Sequence, residues 1–333
     1  EVDFGLSPPG EIDRAEAVAG VTWGRLRPGW SRMVLELAGP MRIVLADERR
    51  DAAGSADLIV RLEPVTQEDF AARTGEPVNP AWSLPEAESL VAPRARQTGE
   101  RPLLVVLDPG HGGIDPGAEA DGTTEAALML TFARELADVL RRGGIDVLLT
   151  REEDVFVPLE TRISVARVAG ADLFLSLHAD ALEEGVATGA TVYVLDEDAE
   201  EQAAALLAEK HDRADLLAGV DLTGNDDEVA NVLMDLARVE TEPRSQRLAL
   251  ALEQAISGAG LKMHRNPIQG AAFSVLKAPD IPSVLLEVGF LSSKKDRERI
   301  ADPAWRAGMQ GAILAALQAW GIADAAEARL IRQ

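Results

Sequence analysis

The stretch Leu103-Leu104-Val105-Val106-Leu107-Asp108-Pro109-Gly110-His111-Gly112-Gly113 decides how the rest of this 333-residue chain is read. The continuous apolar run Leu103–Leu107 is the pattern of a strand buried on both faces, and the Pro/Gly-rich run after it ends the strand. Such strands belong to parallel sheets covered by helices, so helices should alternate with strands downstream. Thr123–Arg142 has helical spacing and stops at Gly143-Gly144, Asp146–Thr150 reads as a strand, and Pro158–Ala169 reads as a helix with Pro at its start and Gly170 past its end. Asp172–Leu177, Thr191–Leu195, Phe273–Leu276 and Ser283–Glu287 are further strands, and a long helix is expected from Pro303 to Trp320. The expected fold is α/β: a mixed, mostly parallel sheet flanked by helices, preceded by a small β module and a linker.

That module occupies residues 1–62, where Met33–Leu37, Met41–Leu45 and Asp57–Leu62 read as short strands between Gly/Pro turns. Residues 63–100 carry Pro64, Pro77, Pro80, Pro85 and Pro93 among Glu, Thr and Ala, and read as the linker. The α/β domain is then expected over 101–322, with a tail at 323–333. Inside it, residues 196–244 hold 15 acidic and 4 basic residues, a net of −11 out of −23 for the whole chain. Ala203, Leu206, Leu207, Lys210, Ala214 and Leu217 share one helical face there, and a second helix is expected over Asp226–Arg238. A long helical insertion between core elements is either functional or a solvated acidic flap.

Composition removes several classes. With 33 Lys+Arg against 56 Asp+Glu, the chain lacks the basic balance that nucleic acid or an anionic membrane demands. The absence of Cys excludes a disulfide scaffold, a Cys nucleophile and a thiolate-bound metal. The apolar runs fall far short of the ~18 residues a membrane helix needs, so no membrane insertion is expected. Glu1 opens without a secretory signal, the form a matured chain takes. There is no G-x-S-x-G elbow, no Walker loop and no G-x-G-x-x-G.

Of four histidines, His111 lies directly past the end of the Leu103–Leu107 strand and His178 closes the strand before it. Ligands of open α/β sheets bind outside the carboxyl ends of strands, so both imidazoles project toward one rim. Glu125, in the first turn of the helix after the Gly-rich loop, is the best third ligand, with Asp115, Glu119 and Asp121 as loop alternatives that lack a rigid support. Two neutral imidazoles and one carboxylate suit zinc and leave a position for water. Glu287 ends an apolar strand, a costly place for a carboxylate unless it is paired or working, and is a candidate general base. Each residue has a plainer reading taken singly: a loop histidine, a core histidine, a helix-dipole glutamate, an ion-pair partner. Their coincidence at strand ends favours the functional one. For His211 and His264 the plain reading stands.

Taken together, Leu107-Asp108-Pro109-Gly110-His111-Gly112-Gly113-Ile114-Asp115-Pro116-Gly117-Ala118, Glu125, Leu149-Thr150-Arg151, Ser176-Leu177-His178-Ala179-Asp180 and Pro282–Ser292 resemble the zinc-dependent N-acetylmuramoyl-L-alanine amidases that trim bacterial cell wall, over residues 101–322. The resemblance implies Zn2+ held by His111, Glu125 and His178, with Glu287 as catalytic carboxylate. The family usually has Asn where this chain has Asp180 and Ser293. Residues 1–62 are similar to the end of the peptidoglycan-targeting domain of periplasmic cell-division amidases, without its early strands. In those enzymes a helical insertion covers the site and places a carboxylate on zinc until a LytM-like activator draws it away. That implies autoinhibition by 196–244, with Glu209 the best match for the blocking residue and Glu200 and Glu201 as alternatives. The implied reaction is hydrolysis of the amide between the lactyl group of N-acetylmuramic acid and L-Ala of the stem peptide, during septal splitting in the periplasm. The competing readings are another zinc peptidase, carboxypeptidase-like, and a non-catalytic wall-binding protein.

Overall fold

The computed structural model describes residues 17–27, 30–50, 56–71, 96–181, 187–196 and 228–331. Glu200, Glu201, Glu209, His211 and the expected helical face Ala203–Leu217 lie outside them. The chain divides into two compact units, Glu1–Leu84 and Pro85–Gln333. In the first, β1 (Val18–Arg27) pairs antiparallel with β2 (Trp30–Leu37) and β3 (Met41–Arg50) with β4 (Ala56–Pro64), before a short helix α1 (Gln67–Ala71) inside the expected linker. The strand β1 was not expected. Its glycines Gly20 and Gly24 break the alternation, and the register shifts between Val18 and Gly20.

The second unit is built on a six-stranded sheet. Its strands are β5 (Leu104–Pro109), β8 (Asp146–Leu149), β9 (Leu173–His178), β10 (Ala190–Leu195), β11 (Met263–Ala271) and β12 (Ser283–Glu287), in the order β11-β10-β12-β9-β5-β8. β8, β5, β9 and β12 run parallel, β10 is antiparallel to β12, and β11 is parallel to β10. β6 (Glu119–Ala120) and β7 (Thr123–Thr124) form a separate hairpin, so Thr123 and Thr124 precede the helix they were expected to open.

Three long helices, α2 (Glu125–Arg142), α4 (Glu228–Gly258) and α6 (Pro303–Ile331), cover one face through Phe132, Leu136, Leu248, Leu252, Ile313 and Leu317, packed on Val105, Leu107, Leu175 and Leu286. The other face carries Val106, Phe174, Tyr193 and Leu285 under α3 (Leu159–Ala169). Alternate residues of β5 thus enter opposite cores, which is why its sequence is continuously apolar. No helix among the described residues is long and apolar enough to cross a membrane.

Several elements depart from expectation. Phe273–Leu276 is not a strand: Ser274–Leu276 forms a single 3-10 turn, with Phe273, Val275 and Leu276 buried in the second core. A four-residue apolar run does not distinguish the two. β11 was missed because His264-Arg265-Asn266-Pro267 reads as a turn, yet it is the sheet's edge, where Pro is tolerated. The charged helix α5 (Lys294–Ala301) was missed too; its N-cap is Ser293, whose hydroxyl accepts from Asp296 N, a task Asn performs equally well.

The expected tail is helical. α6 runs through Gly321 to Ile331 because Ala325 and Ala328 are buried, and a Cβ on Gly321 would run into the Leu103 side chain, so this glycine permits close packing rather than a stop. Asp324, with its side chain 1% exposed, takes hydrogen bonds from Arg96 (2.7 Å) and Arg244 (2.8 Å), tying the end of the linker and α4 to α6. Asp324→Ala should therefore cost about 3–5 kcal/mol in urea unfolding, because it strands the buried Arg244 guanidinium and leaves Arg96 only Glu327 and Glu240.

A second buried network holds the end of β5. The Asp108 carboxylate accepts from Thr150 Oγ1 (2.5 Å), Arg162 Nη1 (2.7 Å) and Ser176 Oγ (2.7 Å), joining β5, β8, α3 and β9. Burial alone raises its pKa, but Arg162 and the two hydroxyls outweigh burial and leave it below the ordinary carboxylate range. A depressed folded pKa contributes stability above the unfolded value of about 3.9 and loses it as pH falls through the folded one. Acid unfolding should accordingly be less steep below about pH 4 in Asp108→Asn, which is also less stable at neutral pH.

Candidate metal centre

Because β5, β9 and β12 are parallel neighbours, their carboxyl ends lie on one rim. Glu287 at the end of β12 is in register with His178 at the end of β9, and Pro109 of β5 with Leu177. The chain leaves β5 through a tight turn in which Gly110 N donates to Leu177 O (2.9 Å). A Cβ on Gly110 would strike the His178 ring, so only glycine lets the turn pass this close. His111 follows with φ 57°, a left-handed conformation costing a non-glycine residue about 1–2 kcal/mol.

The turn delivers His111 between two carboxylates. Nδ1 is 2.6 Å from Asp115 Oδ2 and Nε2 is 3.2 Å from Glu125 Oε2. Glu125 is the first residue of α2, fixed by the Thr124 hydroxyl accepting from Ala127 N (3.2 Å). Its Oε2 also accepts from Ala118 N (3.0 Å), while Oε1 accepts from Ala179 N (2.9 Å) and lies 3.0 Å from His178 Nδ1. The two imidazoles stand edge to face, 5.0 Å between centroids. Among the described residues, His111, Glu125 and His178 form a buried group whose ligand atoms all lie within 4.8 Å of one another.

The electrostatics divide the carboxylates. Burial pushes Glu125 up, but the His111 charge and hydrogen bonds from both imidazoles overcome it, leaving Glu125 well below the ordinary range. Burial likewise works against a charged His111, and Asp115 and Glu125 reverse it, raising the imidazole well above its usual value. Glu287 goes the other way. It has no solvent exposure, its Oε2 accepts from Asp180 N (3.0 Å), and its buried Oε1 has no hydrogen-bond partner among the described residues. Burial first, then the charges of Glu125 and Asp180, lift Glu287 well above the usual carboxylate range.

The rim thus brings together the four residues picked from the sequence. The loop alternatives separate: Glu119 is exposed on β6, and Asp121 pairs with Arg297 (2.9 Å). Asp115 is close, but as the partner of His111 Nδ1, a role the sequence reading missed although the four-residue spacing contained it. His264 lies on β11, its ring 6.1 Å from Phe290 and outside the group. A divalent ion fits this donor set. Gly117, at φ 67°, leaves open the space beside His111 and Glu125 that a Cβ would fill, and Glu287 Oε1 is a buried acceptor still to be satisfied.

Residues 105–319 match the family described as N-acetylmuramoyl-L-alanine amidase. N-acetylmuramoyl-L-alanine amidase AmiA of Escherichia coli is 39% identical over 223 residues, covering 66% of this chain and 76% of that protein. AmiC of Neisseria meningitidis serogroup B, of the same name, is 38% identical over 217 residues, covering 64% of this chain and 51% of that one. The crystal structure of the Clostridium difficile 630 amidase superposes with a TM-score of 0.48 at 22% identity, over 66% of this chain and 97% of its own. With the matched region enclosing the whole strand-end rim, this chain belongs to the N-acetylmuramoyl-L-alanine amidase family.

Proposed function

We propose that the chain is a zinc-dependent peptidoglycan amidase that hydrolyses the bond between the lactyl group of N-acetylmuramic acid and L-Ala of the stem peptide. The observation that carries this reading is the convergence of His111, Glu125 and His178, with Glu287 alongside, on one edge of the sheet. Zinc held by those three residues would supply a Lewis acid for the scissile carbonyl and lower the pKa of water. Asp115, 2.6 Å from His111 Nδ1, would hold the Nδ1–H form of the ring and leave Nε2, on the Glu125 side, to serve the ion. Glu125 keeps its negative charge through the amides of Ala118 and Ala179.

Glu287 moves the protons. Its Oε2 is anchored by Asp180 N–H, so Oε1 is free to take a proton from the attacking water. The hydroxyl adds to the carbonyl carbon, the C–N bond breaks, and the same proton passes from Glu287 to the departing amine of L-Ala. A carboxyl raised by burial is a stronger base toward the attacking water than an ordinary one, and a nearby cation restrains that rise so that the proton can still be returned to the amine.

Regulation and place follow from the same family reading. The insertion 196–244 is autoinhibitory, with Glu209, or Glu200 or Glu201, occupying the position water needs. A LytM-like activator with a basic face draws it away, and the insertion's net charge of −11 supports that pairing. Residues 1–62 target peptidoglycan, and the enzyme works in the periplasm on septal wall.

Glu287→Gln should retain stoichiometric zinc while release of intact stem peptides from sacculi falls about 100- to 10,000-fold; unchanged turnover would remove the base assignment. Glu209→Ala should raise basal release without activator, and an unaltered rate with unaltered zinc content points to another blocking residue or none.

A further inference from the structure

Leu149-Thr150-Arg151 belongs to the family pattern, yet the reaction above gives Arg151 no task. Arg162, on α3, likewise has none. Both are 3% exposed. Arg151 donates through Nε to Pro109 O (2.9 Å), through Nη2 to Gly110 O (2.8 Å) and Ala126 O (2.9 Å), and through Nη1 to Glu153 O (3.2 Å). Arg162 donates through Nε to Val157 O (2.7 Å), through Nη1 to Asp108 Oδ1 (2.7 Å) and Pro109 O (2.9 Å), and through Nη2 to His111 O (2.9 Å). Three consecutive carbonyls, 109, 110 and 111, are therefore held by two guanidinium forks.

Such an arrangement is expensive to build. Burial, with the Arg162 charge adding to it, pushes the Arg151 guanidinium down to about 10. The gain is in geometry. The backbone at His111 is left-handed, and a strained residue keeps that conformation only where its surroundings over-determine it. A planar fork satisfies two acceptors with fixed directions, which an ammonium does not. The Arg151 bond to Ala126 O also reaches the residue after Glu125, so one side chain spans the His111 turn and the first turn of α2.

We propose that Arg151 and Arg162 are positioning residues that clamp the turn Pro109–His111 by its carbonyls and, through Ala126, set the spacing of His111 from Glu125 before any ion arrives. This rests on the reading of His111 and Glu125 as metal ligands. The test uses the full chain carrying Arg151→Lys or Arg162→Lys, with zinc affinity measured by chelator competition beside thermal unfolding of the metal-free proteins. Each variant should bind zinc about 10- to 100-fold more weakly while its metal-free form still unfolds cooperatively. A merely structural role would lower the melting temperature and leave the affinity of the folded chain unmoved, so affinities within about twofold of the parent in both variants overturn the clamp. Should a variant fail to fold, exchange of the arginine Nε–H protons in the parent chain decides. Protection in the metal-free protein equal to that in the zinc-loaded one supports the clamp, and protection appearing only after zinc addition overturns it. A parent chain that binds no zinc sinks the metal centre itself, whereas variants that bind as the parent does sink the clamp alone.

Discussion

Glu125 has no contact with solvent, and a carboxylate in that position must be neutralised by the protein itself. Two backbone amides and two imidazoles do so, and they come from three separated parts of the chain: Ala118 in the loop, His178 and Ala179 at the end of β9, and His111 in the turn after β5. That single requirement explains much of the local architecture. β5 and β9 must be neighbours with their ends level, α2 must begin at Glu125 rather than a residue earlier, and the turn must be glycine-rich enough to pass His178. The sheet order and the Thr124 cap deliver all three.

Glu287 is buried to the same extent on the same rim, and its environment sends it in the opposite direction. Glu125 receives four favourable partners, whereas Glu287 has one amide and two acidic neighbours. Pairs of carboxylates pushed apart in this way divide into a permanent anion and a proton carrier. The Glu125 charge is felt at Glu287, so the two share one rim and differ in the charges and hydrogen bonds each is supplied with.

The sheet was legible where its strands are buried on both sides, because Leu104–Leu107, Leu173–Leu177 and Ser283–Leu286 have no polar face to disguise them. The convergence of the candidate residues was legible because His178 and Glu287 end two of those strands, His111 follows a third and Glu125 opens the next helix. What escaped reading obeys weaker local rules. β11 contains Pro267 and polar residues that only an edge permits. Gly321 looks like a helix stop and serves as a packing notch for Leu103. Arg151 and Arg162 carry no periodic signature, since their partners are backbone carbonyls whose positions exist only after folding. Tertiary hydrogen bonds of this kind are invisible to any pattern of side-chain types.

The acidic stretch and the core meet within a single helix. Pro243 falls inside α4, where it removes one hydrogen bond and would ordinarily break the helix. The helix continues where its side chains are held by the core. Thr241, Arg244 and Ser245 are buried, the Ser245 hydroxyl accepts from Ser283 N (3.0 Å), and Arg244 is locked to Asp324. Beyond them Leu248, Leu252 and Ile256 enter the main core. Displacing α4 from Thr241 onward would therefore disrupt both the ion pairs and the core, a loss of several kcal/mol.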